Sequence, residues 1–131
     1  MDFAYNDEQK EIIKVVRDLV EKEIVPYAAE MDETGKLHEG LLEKLAAQGL
    51  LGVAIPEEFG GAGLDAITIA AIYEELGKGC AGVATTVAAN ALASYPVIIA
   101  GNDDQKKRYF DIINDDNLAA FALTEPGTGS D

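Results

Sequence analysis

Residues 81–100 read AGVATTVAANALASYPVIIA, and no Lys, Arg, Asp or Glu occurs between Lys78 and Asp103. A charge-free stretch of this length could cross a bilayer. Its content argues for something else. It holds Thr85, Thr86, Asn90, Ser94 and Pro96, it is rich in alanine, and its strong aliphatics are confined to Val83, Val87, Leu92, Val97, Ile98 and Ile99. A central helix of a bundle, buried on most sides, accounts for it better than a membrane span. Its small side chains let neighbouring backbones come close. Pro96 should kink it and Gly101 should end it.

Working outward, Asp65 is placed to cap a preceding helix that reaches about Leu76. Ile67, Ile69, Ala70, Ile72, Tyr73 and Leu76 supply its apolar faces, and Gly77 and Gly79 read as its stop. On the other side, Asn102 and Gln105 have the spacing of a capping box, with Asp103 and Asp104 suited to the positive helix end. That helix should run to about Asn114 with Tyr109, Phe110, Ile112 and Ile113 turned inward.

The N-terminal half repeats the pattern. Ile12, Ile13, Val16, Leu19, Val20, Ile24 and Tyr27 recur at three- and four-residue spacing and predict a helix over Asp7–Met31, capped by Asn6 with Gln9. Asp18 and Lys22 are set for an i,i+4 ion pair, and Pro26 should bend the helix. Residues 32–36 read as a turn with Gly35 as breaker. A short helix over Glu39–Gln48 follows, with Leu41, Leu42 and Leu45 inward and Gly49 in a left-handed cap. Residues 50–64 carry too many glycines for a regular element and form a loop, pinned to the core by Phe59. Residues 118–124 are apolar and follow a turn, which predicts a strand.

The fold class is therefore all-α: a bundle of about five helices over 1–117, followed over 118–131 by the first strand of a β-domain. A lone strand leaves its N–H and C=O groups unpaired, which implies a sheet-forming domain beyond these residues.

At 131 residues the chain can bury one core. The formal charge of −14 lacks the basic stripe that phosphates require, so nucleic acid and anionic lipid are poor partners. The single cysteine, Cys80, and the single histidine, His38, exclude an internal disulfide and a Cys/His metal cluster. The acidic start has no basic or apolar leader pattern, and the expected location is the cytoplasm.

No self-contained catalytic set is visible. His38, beside Glu39, reads as a solvated cap-region residue. The adjacent pairs Glu57–Glu58 and Glu74–Glu75 point about 100° apart on a helix and read as wet surface. The stretch from Thr124 to Ser130 differs. Its glycines permit close backbone approach, and Thr124, Thr128 and Ser130 offer hydroxyls. Composition alone favours a plain surface turn.

The motifs decide against that. Phe121-Ala122-Leu123-Thr124-Glu125-Pro126-Gly127-Thr128-Gly129-Ser130-Asp131 resembles the signature of acyl-CoA dehydrogenases. Ile55-Pro56-Glu57-Glu58-Phe59-Gly60-Gly61-Ala62-Gly63 resembles that family's Pro-Glu-Glu-Tyr/Phe-Gly-Gly-x-Gly loop. Pro96-Val97-Ile98-Ile99-Ala100-Gly101-Asn102-Asp103-Asp104-Gln105-Lys106-Lys107 resembles its Gly-x-x-x-Gln-Lys helix entry. The three stand in the family's order between Ile55 and Asp131.

The resemblance implies a helical domain, a middle β-domain and a C-terminal helical domain, with FAD as cofactor. It implies α,β-dehydrogenation of an acyl-CoA thioester: a glutamate takes the α-proton and the β-hydrogen leaves as hydride to the flavin. In the family that glutamate lies in the C-terminal domain, so no catalytic residue is assigned here, and no metal ligand. The backbone of Leu123, and the N–H and hydroxyl of Thr124, would bond the flavin's pyrimidine edge. Phe121 would lie beside the ring system. Gly129 and Ser130 would approach the FAD pyrophosphate, and Ser130 also the CoA arm. Glu125 reads as structural. Ala88 and Ala89 would line the acyl pocket. The resemblance further implies an electron-transfer flavoprotein as partner and a homotetramer or homodimer. A stand-alone helical interaction module is the alternative.

Overall fold

The computed structural model describes residues 4–113 and 117–129. The chain begins in a long rod. Helix α1 (Asp7–Leu19) passes through a π-helical turn (Val20–Ile24) and a 3-10 turn (Val25–Tyr27) into α2 (Ala28–Thr34). Then follow α3 (Leu41–Ala47), α4 (Ala66–Gly79), α5 (Ala81–Ala100) and α6 (Asp103–Ile113). With the interrupted rod counted once, the expected five helices are present among the described residues. The expected end of α6 at Asn114 lies outside them.

The helix starts follow local chemistry. Asn6 Oδ1 accepts from the Gln9 N–H at 2.8 Å and Gln9 Oε1 accepts from the Asn6 N–H at 3.0 Å, a complete capping box. Asn102 and Gln105 repeat it at 2.9 Å in both directions. Asp65 Oδ1 accepts from the N–H groups of Ile67 and Thr68 and so caps α4.

The interruption in the rod lies just before Pro26. Proline has no N–H and its ring collides with the carbonyl four residues back, so the ladder slips to a wider register. The Val25 N–H accordingly donates to the Val20 carbonyl, five residues away. The slip also alters side-chain spacing beyond Leu19. The expected Asp18–Lys22 pair is not formed among the described residues; Lys44 instead pairs with Glu23. The rod ends at Gly35, whose φ of 64° is the left-handed cap that glycine adopts without strain.

The main core joins the inward faces of the rod, α3, α4 and α5: Val16, Val20, Ile24, Met31, Leu41, Leu45, Ile69, Ile72, Leu76, Val83 and Val87. A smaller cluster of Ile55, Phe110 and Ile113 takes in Phe59, whose ring centroid lies 5.2 Å from that of Phe110. Phe59 thus pins the 50–64 loop, as its position suggested. The loop closes on itself through the Gly63 N–H to the Ile55 carbonyl (2.8 Å) and the Leu64 N–H to the Val53 carbonyl (3.0 Å).

Several expectations require correction. Gly77 and Gly79 do not stop α4, which runs through both to an extended Cys80. Gly79 serves close crossing instead: a Cβ there would lie 2.6 Å from Val20 Cγ1. The short helix starts at Leu41, two residues later than Glu39. Ile67 and Ile112 face outward, at 63% and 62% exposure. Helix α5 passes the length and composition test for a membrane span. It packs chiefly against α4, and it is not buried on most sides: Leu92, Tyr95 and Ile99 remain exposed. Residues 118–124 form no strand, because no extended neighbour lies beside them among the described residues to share a ladder.

The largest departure is Glu75, expected on a wet surface and found 5% exposed. Arg17 donates to it through Nε at 3.0 Å and a second guanidinium nitrogen at 2.8 Å, and Lys78 Nζ adds a bond of 2.7 Å. This bidentate bond ties α1 to α4. The Arg17 bonds hold the Glu75 carboxyl down at about 2, against burial, which pushes it up, with Lys78 assisting.

Glu75 has a folded pKa below its ordinary 4.5, so its contribution to stability is complete above that value and is lost as pH falls toward 2. The gap in unfolding free energy between wild type and Glu75→Gln, measured by denaturant titration, should therefore shrink over this window. Gly79→Ala should destabilise by about 1–3 kcal/mol through overpacking. Gly77→Ala, whose new Cβ meets its nearest neighbour at 4.0 Å, should be neutral or stabilising.

Candidate functional site

Helix α5 has two unlike faces. Val83, Val87, Asn90, Ala91 and Ser94 are buried against the rest of the bundle. Ala88, Leu92, Tyr95 and Ile99 fall on another face at three- and four-residue spacing. There Leu92 is 50%, Tyr95 41% and Ile99 80% exposed. Ala88 and Ala89 are half-buried at the edge of this apolar strip. Both side chains are small.

Asn90 connects this helix to the C-terminal segment. Its side chain is 1% exposed, within an otherwise alanine-rich run. Nδ2 donates to the Leu51 carbonyl at 3.3 Å, and Oδ1 accepts from the Ala119 N–H at 2.6 Å. The segment that follows α6 is thereby held beside α5 one residue from Ala89. Asn117 Nδ2 also donates to the Ile112 carbonyl at 2.8 Å, near the end of α6. A lone amide in an apolar helix must find partners. That signal was present in the sequence, but the partners, 39 and 29 residues away, were not.

From Ala120 to Gly129 the segment is exposed. Phe121 is 42% and Leu123 72% exposed, large apolar side chains uncovered by the bundle. Among the described residues, the backbone groups of Leu123 and Thr124 have no hydrogen-bond partner. A tight turn follows. The Glu125 N–H donates to the Thr128 carbonyl at 3.2 Å, and the Thr128 N–H returns to the Glu125 carbonyl at 3.1 Å, around Pro126 and Gly127. Ser130 lies outside the described residues.

The glycines of this turn differ from those of the core. A Cβ on Gly61 would sit 2.1 Å from the Ile55 carbonyl oxygen, so packing within the chain demands glycine there. Gly127 and Gly129 have nothing within 4 Å of a built Cβ, and neither has a left-handed φ. Neither crowding nor backbone conformation within this chain accounts for them. Such glycines leave room for close approach by a group from outside.

His38 carries no catalytic constellation. It is not freely solvated as expected: its ring stacks on Tyr27 at 3.5 Å, with Nδ1 3.7 Å from Glu30. No group of three or more potential metal ligands occurs among the described residues.

The sequence model described as acyl-CoA dehydrogenase, N-terminal domain, matches residues 6–114. The chain belongs to the acyl-CoA dehydrogenase family. A 3-(aryl)acrylate reductase of Clostridium sporogenes is 41% identical over 128 residues, covering 95% of this chain and 34% of that protein. The butyryl-CoA dehydrogenase structure from Megasphaera elsdenii superposes with a TM-score of 0.85 at 34% identity, covering 98% of this chain and 35% of that one. An acyl-CoA dehydrogenase from Bacillus anthracis, solved in complex with FAD, gives 0.82 at 37% identity, covering 96% of this chain and 22% of that one. This acyl-CoA dehydrogenase family chain thus spans about a third of the length of the curated relative described. The bundle that presents Ala88, Ala89 and the 117–129 segment is the part held in common.

The site geometry makes a measurable distinction. In this chain, the N–H groups of Leu123 and Thr124 should exchange with solvent about tenfold or more faster than those of Ala119 and Thr128, which are bonded. Hydrogen exchange followed by NMR would show it; equal protection across the four would contradict the arrangement.

Proposed function

We propose that residues 1–117 are the N-terminal helical domain of an FAD-dependent acyl-CoA dehydrogenase, and that residues 118–131 open its β-domain. The observation that carries this reading is the exposed segment itself. Leu123 and Thr124 present unpartnered backbone groups, and Gly127 and Gly129 leave room that the chain does not use. This fits a planar ligand with acceptor and donor atoms along one edge and a phosphate-bearing tail.

FAD, when bound, supplies the oxidising group. The chain's own residues bind and orient. The Thr124 N–H and hydroxyl, with the Leu123 backbone, meet the flavin's pyrimidine edge and favour charge that accumulates there. Phe121 covers the ring system. Gly129 and Ser130 approach the pyrophosphate, and Ser130 also the CoA arm. Ala88 and Ala89, small and at the edge of the apolar face of α5, leave room for the acyl chain. The α-proton is removed by a group outside this chain. For the whole protein, an acyl-CoA is the substrate, an electron-transfer flavoprotein accepts the electrons, and a homotetramer or homodimer is the assembly.

The name of the Clostridium sporogenes relative favours a second direction for the same site, in which an α,β-unsaturated acyl group is reduced. The residues named would serve either direction, since they contact the same flavin.

The test is expression of the whole protein and a flavin-bleaching assay across acyl-CoA lengths. Bleaching by a saturated acyl-CoA is expected; bleaching by dithionite followed by recovery on an enoyl-CoA alone would favour the reductive direction. No flavin in the whole protein would sink both. Ala88→Leu should shift the preferred chain length downward, and an unchanged profile would remove Ala88 from the pocket. Thr124→Val should slow flavin reduction roughly tenfold, the cost of one hydrogen bond to developing charge. The 131-residue chain alone should hold no FAD tightly; one flavin per chain would contradict the division of the site.

A further inference from the structure

Asn90 has a geometry that can be read without ambiguity. A buried amide can be flipped only if its neighbours allow it. The Leu51 carbonyl can only accept and the Ala119 N–H can only donate, so Nδ2 must face the first and Oδ1 the second. The main-chain carbonyl of Asn90 also accepts from Ser94 Oγ at 2.7 Å, and that hydroxyl lies 3.4 Å from the Tyr109 hydroxyl. A continuous polar line thus runs from α6 through α5 to the C-terminal segment, within a region otherwise packed by apolar side chains.

We propose that Asn90 is a positioning residue for the flavin-contacting segment: its amide fixes Ala119 against α5 and so sets where Leu123 and Thr124 stand relative to the acyl-lining face of the same helix. This rests on the reading of residues 121–129 as a flavin contact. Thr124 is five residues beyond Ala119, an extended reach of at most about 18 Å. Without the anchor, the segment could sweep a volume of that radius, since residues 120–129 are exposed and hold only their own turn. With it, the flavin edge and the acyl chain are referenced to one rigid helix. Side chains that act on a reacting centre need their supports locked by packing and hydrogen bonds, and Asn90 meets both conditions.

The alternatives at this position fail on chemistry. Aspartate could accept from Ala119 but would set a buried carboxylate against the Leu51 carbonyl. Leucine could do neither. Ala119→Pro removes the donor from the other end without touching α5.

The experiment uses the whole FAD-loaded protein with Asn90→Leu, Ala119→Pro and the double variant. Each single variant should weaken FAD binding about tenfold, the effect of losing one buried hydrogen bond, and should shift the visible flavin absorption. The double variant should be no worse than Asn90→Leu alone, because the Asn90–Ala119 bond can be lost only once. The denaturant midpoint of Ala119→Pro should fall only modestly, since Asn90 Oδ1 loses its donor while no helix is altered. If Asn90→Leu fails to fold, Ala119→Pro still decides the matter. Unchanged FAD affinity and spectrum in Ala119→Pro, or additive losses in the double variant, would overturn the positioning role alone. A wild-type protein that binds no FAD would overturn the flavin reading, and the role with it.

Discussion

A helix with no charged side chain over twenty residues has to be covered, and the architecture is arranged around that requirement. Helix α4 covers one side of α5, a 3-10 turn at Leu50–Gly52 covers another, and the rod closes over α4 through the Gly79 crossing and the Arg17–Glu75 bond. The cover stops at Leu92, Tyr95 and Ile99. These share a face with Ala88, whereas Asn90, which holds the segment leading to Phe121 and Leu123, lies on the buried face of α5. The bundle thus leaves uncovered both an apolar strip of α5 and the backbone of the 120–129 segment.

What could be read in the sequence was what local chemistry determines. The capping boxes at Asn6 and Asn102 form because both partners lie within three residues of each other. The rod, α5 and α6 follow from apolar spacing, and Phe59 was legible as an anchor because a large aromatic in a glycine-rich loop has few other roles. What escaped depends on partners far along the chain. Glu75 looked like surface because Arg17 is 58 residues away. Gly79 looked like a stop because nothing local shows Val20 crossing above it. The strand expected over 118–124 finds no neighbour among the described residues, and a ladder forms only with one.

The candidate site divides in the same way. Thr124 to Ser130 stood out through motif resemblance, whereas composition alone favoured a turn. The structure adds that, among the described residues, no crowding and no left-handed φ requires glycine at 127 and 129. Asn90 was visible only as a polar residue in an apolar run. Its meaning appeared once Leu51 and Ala119 were seen on either side of its amide.

The central claim is that residues 121–129 contact FAD while α5 lines the acyl chain. It is tested most directly by a structure of the whole protein with FAD and an acyl-CoA bound. The expected structure has the flavin's pyrimidine edge within hydrogen-bonding distance of Leu123 and Thr124, with the acyl chain alongside Ala88. A flavin bound elsewhere, with the 121–129 segment facing solvent or a protein partner, would contradict it.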